Sequence, residues 1–196
     1  VTLTVERDLK QIPGFKFDSK LARQILERVA TLDEPTAGRI ASALGKDPRT
    51  IMKHLEAFET LFVLHKILPF TGSTGKPQYY LCDVGIAKFL GASFPRLLET
   101  TLLLHILSAI SWQMESRKHL SFYRTSKGSQ VSLLITEGAQ TTAIRILAEE
   151  RFDLRNIAIL LALRDKFPTM KTIVLGPERL SLRKEKVEIY PWESMD

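Results

Sequence analysis

Two β-rich stretches in the second half of the chain, within residues 128–147, decide what chemistry it could perform. Side chains alternate faces along a strand, so we expect Gln130 and Ser132 to share one face of the first strand. Arg145 and Leu147 should share one face of the next strand. A metal-dependent nuclease places carboxylates and a lysine at such paired positions, to hold a cation and a reacting water. Because none of the four residues is a carboxylate or a lysine, the sequence predicts that these strands carry no such catalytic centre.

Two nearby acids keep an alternative open. Glu149 would share the face of Arg145 if the second strand ran that far, and Glu137 lies at the turn between the strands. Rearranged carboxylates of this kind could restore a metal-dependent nuclease, since Mg²⁺ sites recruit one or two carboxylates. The four histidines and the single cysteine show no metal-ligand spacing. We therefore predict no catalytic residue, no metal site and no cofactor in this chain.

The bulk composition is that of an ordinary globular protein. The chain has 196 residues, of which 44% are hydrophobic, and carries a net charge of +6 that is not concentrated on one element. A single cysteine, Cys82, fits a reducing cytoplasm. The longest apolar run, Leu102–Trp112, is interrupted by polar residues and is too short to span a bilayer, so no membrane partner is expected. The chain starts at Val1, which predicts a fragment of a longer protein.

Residues 18–90 are predicted to form a winged helix-turn-helix domain that follows an N-terminal extension, 1–17. Asp18, Thr36 and the Asp47-Pro48 pair read as helix starts, and Gly45 as a helix stop. The predicted elements are helices from Asp18 to Ala30, from Thr36 to Leu44 and from Pro48 to about Leu61, then strands over 63–70 and 78–82 around the turn Thr71–Pro77. Three helices followed by a hairpin are the layout of a winged helix.

A winged helix meets DNA through the N-terminal part of its third helix and through phosphate contacts from the wing. The exposed candidates are Arg49, Thr50, Lys53 and His54 on the helix, with Lys66 and Lys76 on the hairpin. This basic set is modest, so DNA is an expected partner and a protein-packing role is the alternative. The stretch GSTGKP at 72–77 has the wrong spacing for a phosphate-binding Walker motif.

Residues 91–196 are predicted to form a second, α/β domain. Gly91–Pro95 reads as a linker, and Leu97–Trp112 as a helix buried on nearly all sides, with His105 as a core residue. The other predicted elements are strands over 120–125, 130–136 and 142–148, a helix from an Asp153 cap to Phe167, and strands over 172–175 and 186–190. The charged run at 183–186 is expected to be a solvated turn between strands. The aromatic residues expected to serve packing, in both domains, are Phe58, Phe62, Phe70, Tyr79, Tyr80 and Trp192.

With these motifs placed, the chain resembles a prokaryotic family of unknown function that forms the C-terminal region of AAA-type ATPases. The resemblance covers nearly the whole chain. Its landmarks are ALGKDPRTIMKHLEAFETLFVLHKILPF at 43–70, YYLCDVGIAKFLG at 79–91, Glu99, YRTSKGSQVSLLI at 123–135 and VEIYPWESM at 187–195.

The resemblance implies a second domain with the PD-(D/E)XK restriction-endonuclease-like α/β fold, whose motif is degenerate here. The family's Glu-Val-Asp falls on Gln130-Val131-Ser132, and its Ile-Glu-Val-Lys on Ile144-Arg145-Ile146-Leu147, so that only Glu99 matches as a carboxylate. It also implies an upstream P-loop ATPase domain, to which ATP and Mg²⁺ would belong. That domain, DNA and a second copy of the chain are the expected partners.

Overall fold

The structure, a computed structural model, describes residues 18–113, 117–148, 157–177, 181–184 and 187–192. The chain divides into two compact units. The first takes in the residues up to Ile67 together with Lys76–Thr101, and the second takes in Leu68–Gly75 together with the chain from Leu102 onwards. Helices and a mixed sheet are both present, which confirms the predicted α/β class. The predicted boundary between domains at residues 90 and 91 stays a prediction.

Three capped helices open the first unit: α1 (Ser19–Thr31), α2 (Ala37–Leu44) and α3 (Pro48–Thr60). Asp18, Thr36 and Asp47 each accept a hydrogen bond from main-chain nitrogens of the first turn, which the start of a helix otherwise leaves unpaired. Gly45 ends α2 in the left-handed conformation, with a φ of 60°. These starts and stops confirm the predicted helix boundaries to within a residue.

The first unit continues through β1 (Leu64–Pro69), β2 (Gln78–Leu81), α4 (Val84–Phe89) and the start of α5 (Phe94–Trp112). The first four residues of β1 pair antiparallel with β2. Ile25, Ile51, Phe58 and Tyr79 are among the fully buried residues of its core. The order of helices and strands is the predicted one, whereas the winged-helix assignment itself stays a prediction.

The second unit is built on a mixed sheet. Its strands are the end of β1 together with β3 (Lys118–Arg124), β4 (Gln130–Glu137), β5 (Gln140–Ile146), β6 (Lys171–Gly176), β7 (Leu182–Lys184) and β8 (Val187–Pro191). The order across the sheet is β1, β3, β4, β5, β6, β8, β7, with β3–β4–β5 antiparallel and β5, β6 and β8 parallel. One helix, α6 (Ala158–Lys166), buries Leu160 and Leu163 in the core together with Val131 and Val174 of the sheet.

The helix α5 differs from its prediction. It begins at Phe94, inside the predicted linker Gly91–Pro95. His105 is exposed rather than a core residue, and Trp112 is 84% exposed, so the prediction of a helix buried on nearly all sides is wrong. Burial is selective: Leu103 is fully buried while His105 is not, although the helix is apolar over most of its surface. None of the described helices, α5 included, is long and apolar enough to cross a lipid bilayer.

Two further predictions are corrected. Arg183 lies in the short strand β7 (Leu182–Lys184), not in a turn. It pairs antiparallel with Glu188 of β8, so the main chain at this position belongs to the edge of the sheet. Phe62 does not pack in the core: it is 79% exposed in the turn after α3. The predicted cap Asp153 and the acid Glu149 lie outside the described residues.

Candidate functional site

The N-terminal turns of α3 present positive charge to solvent. Arg49, Thr50 and Lys53 are all exposed. The side chain of Asp47 accepts hydrogen bonds from the main-chain nitrogens of Arg49, at 2.8 Å, and Thr50, at 3.3 Å, which fixes where the helix starts. Within the part of the chain that the structure describes, neither Arg49 nor Lys53 has an ion-pair partner. Because Asp47 already accepts from the first-turn amides, the side chains of Arg49 and Lys53 are the groups of this turn that can attract an anion.

The cationic character of α3 is confined to its first half. Glu56 and Glu59 follow on the second half, and Glu59 forms an ion pair of 2.8 Å with Lys66 of β1. The charge of Lys66, one of the predicted DNA contacts, is therefore largely compensated within the protein. On α3, the cations that remain available to a nucleic acid are therefore Arg49 and Lys53 of the first half.

His54 is not part of this surface, and its prediction as an exposed DNA contact is wrong. Its side chain is only 4% exposed, and its Nδ1 lies 2.9 Å from the main-chain oxygen of Thr50. The cause is helical spacing. His54 lies three residues after Ile51 and four before Phe58, both fully buried, so the three side chains share one face.

The turn expected at the tip of the wing is fixed to the sheet of the second unit. The main-chain nitrogen of Phe70 donates to the oxygen of Phe122 at 2.7 Å, and that of Thr74 donates to the oxygen of Arg124 at 3.0 Å. Ser73 Oγ accepts a hydrogen bond of 3.0 Å from the nitrogen of Arg124. Residues 68–75 are thus part of a packed sheet edge rather than a free loop. Lys76, which follows, is exposed.

The strand that carries Gln130 and Ser132 contains a β-bulge. Val131 pairs with Tyr123 and Leu134 with Ser121, so Ser132 and Leu133 together lie opposite a single residue of β3. Strict alternation of faces is therefore broken at Ser132 and Leu133, and the prediction that Gln130 and Ser132 share a face stays a prediction. Nothing in the residue types marks this extra residue.

Arg145 and Gln130 do come together. The Nη1 of Arg145 donates a hydrogen bond of 2.9 Å to the main-chain oxygen of Gln130. Leu147 lies just beyond β5, is buried, and its main-chain oxygen accepts a hydrogen bond of 3.0 Å from Nε1 of Trp192. These contacts give Arg145 and Leu147 structural roles.

Glu99 has partners of its own in the first unit. Its Oε1 accepts a hydrogen bond of 2.9 Å from the hydroxyl of Tyr80, and its Oε2 lies 3.5 Å from Nη1 of Arg96. The guanidinium of Arg96 stacks 3.9 Å from the ring centroid of Tyr80 and donates to the main-chain oxygen of Tyr79 at 3.0 Å. Burial, together with the nearby Glu99 carboxylate, raises the pKa of Tyr80 well above its ordinary value, so this hydroxyl stays protonated.

Arg96 is buried in the first turn of α5, and sequence reasoning missed it. An arginine that directly follows a predicted linker, Gly91–Pro95, is usually expected to be solvated. Of the two acids that could have migrated toward a catalytic position, Glu137 is exposed at the end of β4, 3.9 Å from Lys118. Among the described residues, no group of three or more His, Cys, Asp or Glu side chains is arranged to hold a metal ion.

Comparison with known proteins returned no match, either to a family model or to a curated protein. The likeness to the ATPase C-terminal family stays a prediction drawn from the motifs quoted above.

Proposed function

We propose that this chain is a non-enzymatic module that contacts duplex DNA through the first turns of α3. In this proposal a winged helix and a degenerate PD-(D/E)XK-like domain together form the C-terminal region of a cytoplasmic, prokaryotic AAA-type ATPase. The observation that carries the proposal is the exposed pair Arg49 and Lys53 at the positive end of α3. Two exposed cations four residues apart on a helix face suit the phosphate oxygens of a DNA backbone.

The non-enzymatic part of the proposal is supported by the partners of Arg145 and Glu99. A guanidinium at position 145 would repel a divalent cation, and the Glu99 carboxylate is already held by Tyr80 and Arg96. The rival function is a nuclease with rearranged carboxylates. Digestion of DNA or RNA that requires Mg²⁺ or Mn²⁺ and is abolished by Glu99→Ala would establish the rival and refute the proposal.

The DNA contact is tested by fluorescence anisotropy with a labelled duplex over a range of salt concentrations. Replacing Arg49 and Lys53 together by alanine should weaken binding and flatten the dependence of log K on log salt by about two, since each lost phosphate contact releases about one counterion fewer. Lys66→Ala is the matched control, and its effect should be small because Glu59 already pairs with that lysine. Unchanged affinity in the double variant would contradict the proposal.

A protein-binding role is the second candidate, and exposed aromatics in the first unit favour it. Phe62, Phe89 and Phe94 are 79%, 82% and 58% exposed, and burying their rings against a protein partner would be favourable. Sedimentation analysis of the chain tests its self-association. If a dimer forms with wild type and is lost in Phe89→Ser with Phe94→Ser, while DNA binding is absent, this second function replaces the first.

A further inference from the structure

Lys166, the last residue of α6, holds its charge against aromatic rings. Its Nζ lies 5.6 Å from the ring centroid of Tyr123 and 5.5 Å from that of Phe167, and it donates a hydrogen bond of 3.4 Å to Tyr123 Oη. The residue is exposed, so solvent or a solute can reach it. No carboxylate among the described residues pairs with it. The ammonium is therefore held in place while its positive charge stays uncompensated.

A glycine turn adjoins this ammonium. A β-carbon built on Gly72 would lie 3.3 Å from Nζ of Lys166, and Gly72 has a φ of 79°, a conformation that favours glycine. The turn is fixed on both sides of Gly72: the ring of Phe70 packs edge-on against Phe167 with centroids 5.5 Å apart, and Ser73 Oγ accepts hydrogen bonds from the nitrogens of Arg124 and Gly75. The close approach of Gly72 to the Lys166 ammonium is thus a property of the fold.

Three hydrogen-bond donors of this turn and of Tyr123 have no acceptor among the described residues. The hydroxyl oxygen of Tyr123 accepts from Lys166, so its own proton is directed elsewhere, although the residue is only 7% exposed. Over the residues that the structure covers, that proton meets no acceptor, and the main-chain nitrogens of Thr71 and Gly72 donate to none either. An ammonium, a hydroxyl and two amides thus lie around one turn, and the ligand that suits them is rich in acceptor oxygens.

We infer that the turn at Gly72, with Lys166 and Tyr123, is a binding site for a phosphate group. A phosphate presents several acceptor oxygens on one tetrahedral centre, and so it can take hydrogen bonds from the ammonium, the hydroxyl and the turn amides together. The group belongs either to a free phosphate compound or to a nucleic-acid backbone. The site uses no residue of α3 and does not rest on the DNA contact proposed above.

The site is tested by titrating the whole chain with inorganic phosphate and with pyrophosphate in a calorimeter, against sodium chloride of equal ionic strength. Wild type should bind saturably. Lys166→Gln should weaken binding at least about tenfold, because it removes a charged hydrogen bond. Tyr123→Phe should weaken it about threefold or more by removing a neutral one. Lys127→Gln, an exposed lysine of the β3–β4 turn, is the matched control and should leave binding unchanged.

Absence of saturable binding by wild type, or an equal loss in Lys127→Gln, would overturn the inference. Circular dichroism of each variant confirms that the fold is retained, and the exposed Lys166→Gln change leaves the core untouched. Anisotropy with duplex DNA then identifies the source of the phosphate. If Lys166→Gln weakens both phosphate and DNA binding, the group is a backbone phosphate; if it weakens phosphate binding alone, the group belongs to a free compound. The Arg49 and Lys53 double variant should bind inorganic phosphate like wild type, which separates this site from the α3 contact.

Discussion

Tyr80 donates a hydrogen bond of 2.9 Å to Glu99, and Tyr80 is only 1% exposed. The carboxylate therefore acts as an internal acceptor beside the guanidinium of Arg96. An acid held in this way stabilises the start of α5, since the three side chains tie the helix to β2.

Tyr80→Phe should lower the free energy of unfolding by about 1–3 kcal/mol, because it leaves a charged acceptor without its buried donor. Urea denaturation measures the change. Tyr190→Phe is the matched control: the Tyr190 hydroxyl also donates to a carboxylate, Oε2 of Glu188 at 3.0 Å, but that acceptor is also held by Lys171 at 2.9 Å. Its loss should be smaller, about 0.5 kcal/mol. Equal losses of unfolding free energy in the two variants would show that burial of the Tyr80–Glu99 pair is unimportant.

Phe62→Gly should stabilise the protein by about 0.5–1 kcal/mol. Phe62 has a φ of 55°, which glycine adopts without strain, and its exposed ring contributes little packing. Phe89→Gly, an equally exposed phenylalanine at the end of α4, should destabilise by a similar amount because it places glycine in a helix. Thermal unfolding of the two variants should therefore shift in opposite directions. A lower melting temperature for Phe62→Gly would mean that its ring makes a stabilising contact.

Two glycine-to-alanine substitutions should also change the free energy of unfolding in opposite directions, for a different reason. Gly45 ends α2 with a φ of 60°, and Gly45→Ala should destabilise by about 1 kcal/mol although no atom blocks a β-carbon there. Gly38 lies within α2, also with open space around it, and Gly38→Ala should stabilise by about 0.5–1 kcal/mol. Denaturant midpoints of both variants are the measurement. If both variants shift the denaturant midpoint in the same direction, the assigned end of α2 at Gly45 is contradicted.

Cys82 should react slowly with iodoacetamide. Burial raises the pKa of its thiol to about 11, whereas an unfolded chain holds it at about 9. At pH 8 the native thiolate fraction is then ~100-fold lower, and alkylation should be slower by a similar factor than in urea. The same shift makes folding favour the thiol, so this contribution to stability is present below pH 9 and is lost as the pH rises towards 11. Mass spectrometry follows the single cysteine directly; equal rates in buffer and urea would show that the half-buried thiol keeps its ordinary pKa.

The local signals in the sequence predicted the local structure well. The caps at Asp18 and Asp47 and the stop at Gly45 depend on neighbouring residues, and the structure confirms them. The errors concern tertiary contacts. His54 looked polar and exposed, yet its helical spacing with Ile51 and Phe58 buries it, a signal that was present but not used.

The bulge at Ser132 and Leu133 and the approach of Lys166 to Gly72 depend on partners distant in the chain. Neither has a sequence signature, because residue types do not encode strand register or which loop reaches a helix end. The α/β class could be predicted from the alternation of helical and strand patterns. The candidate phosphate site could not.

The path of residues 68–75 limits how the gene can be divided. A truncated product ending near residue 101 would retain this segment but lose β3, so the amides of Phe70 and Thr74 would lose their acceptors. A product starting near residue 91 would bring β3 without its neighbour and leave an open strand edge, on which other chains could add. Expression trials with either half should therefore yield aggregates unless the missing strand is supplied as a peptide.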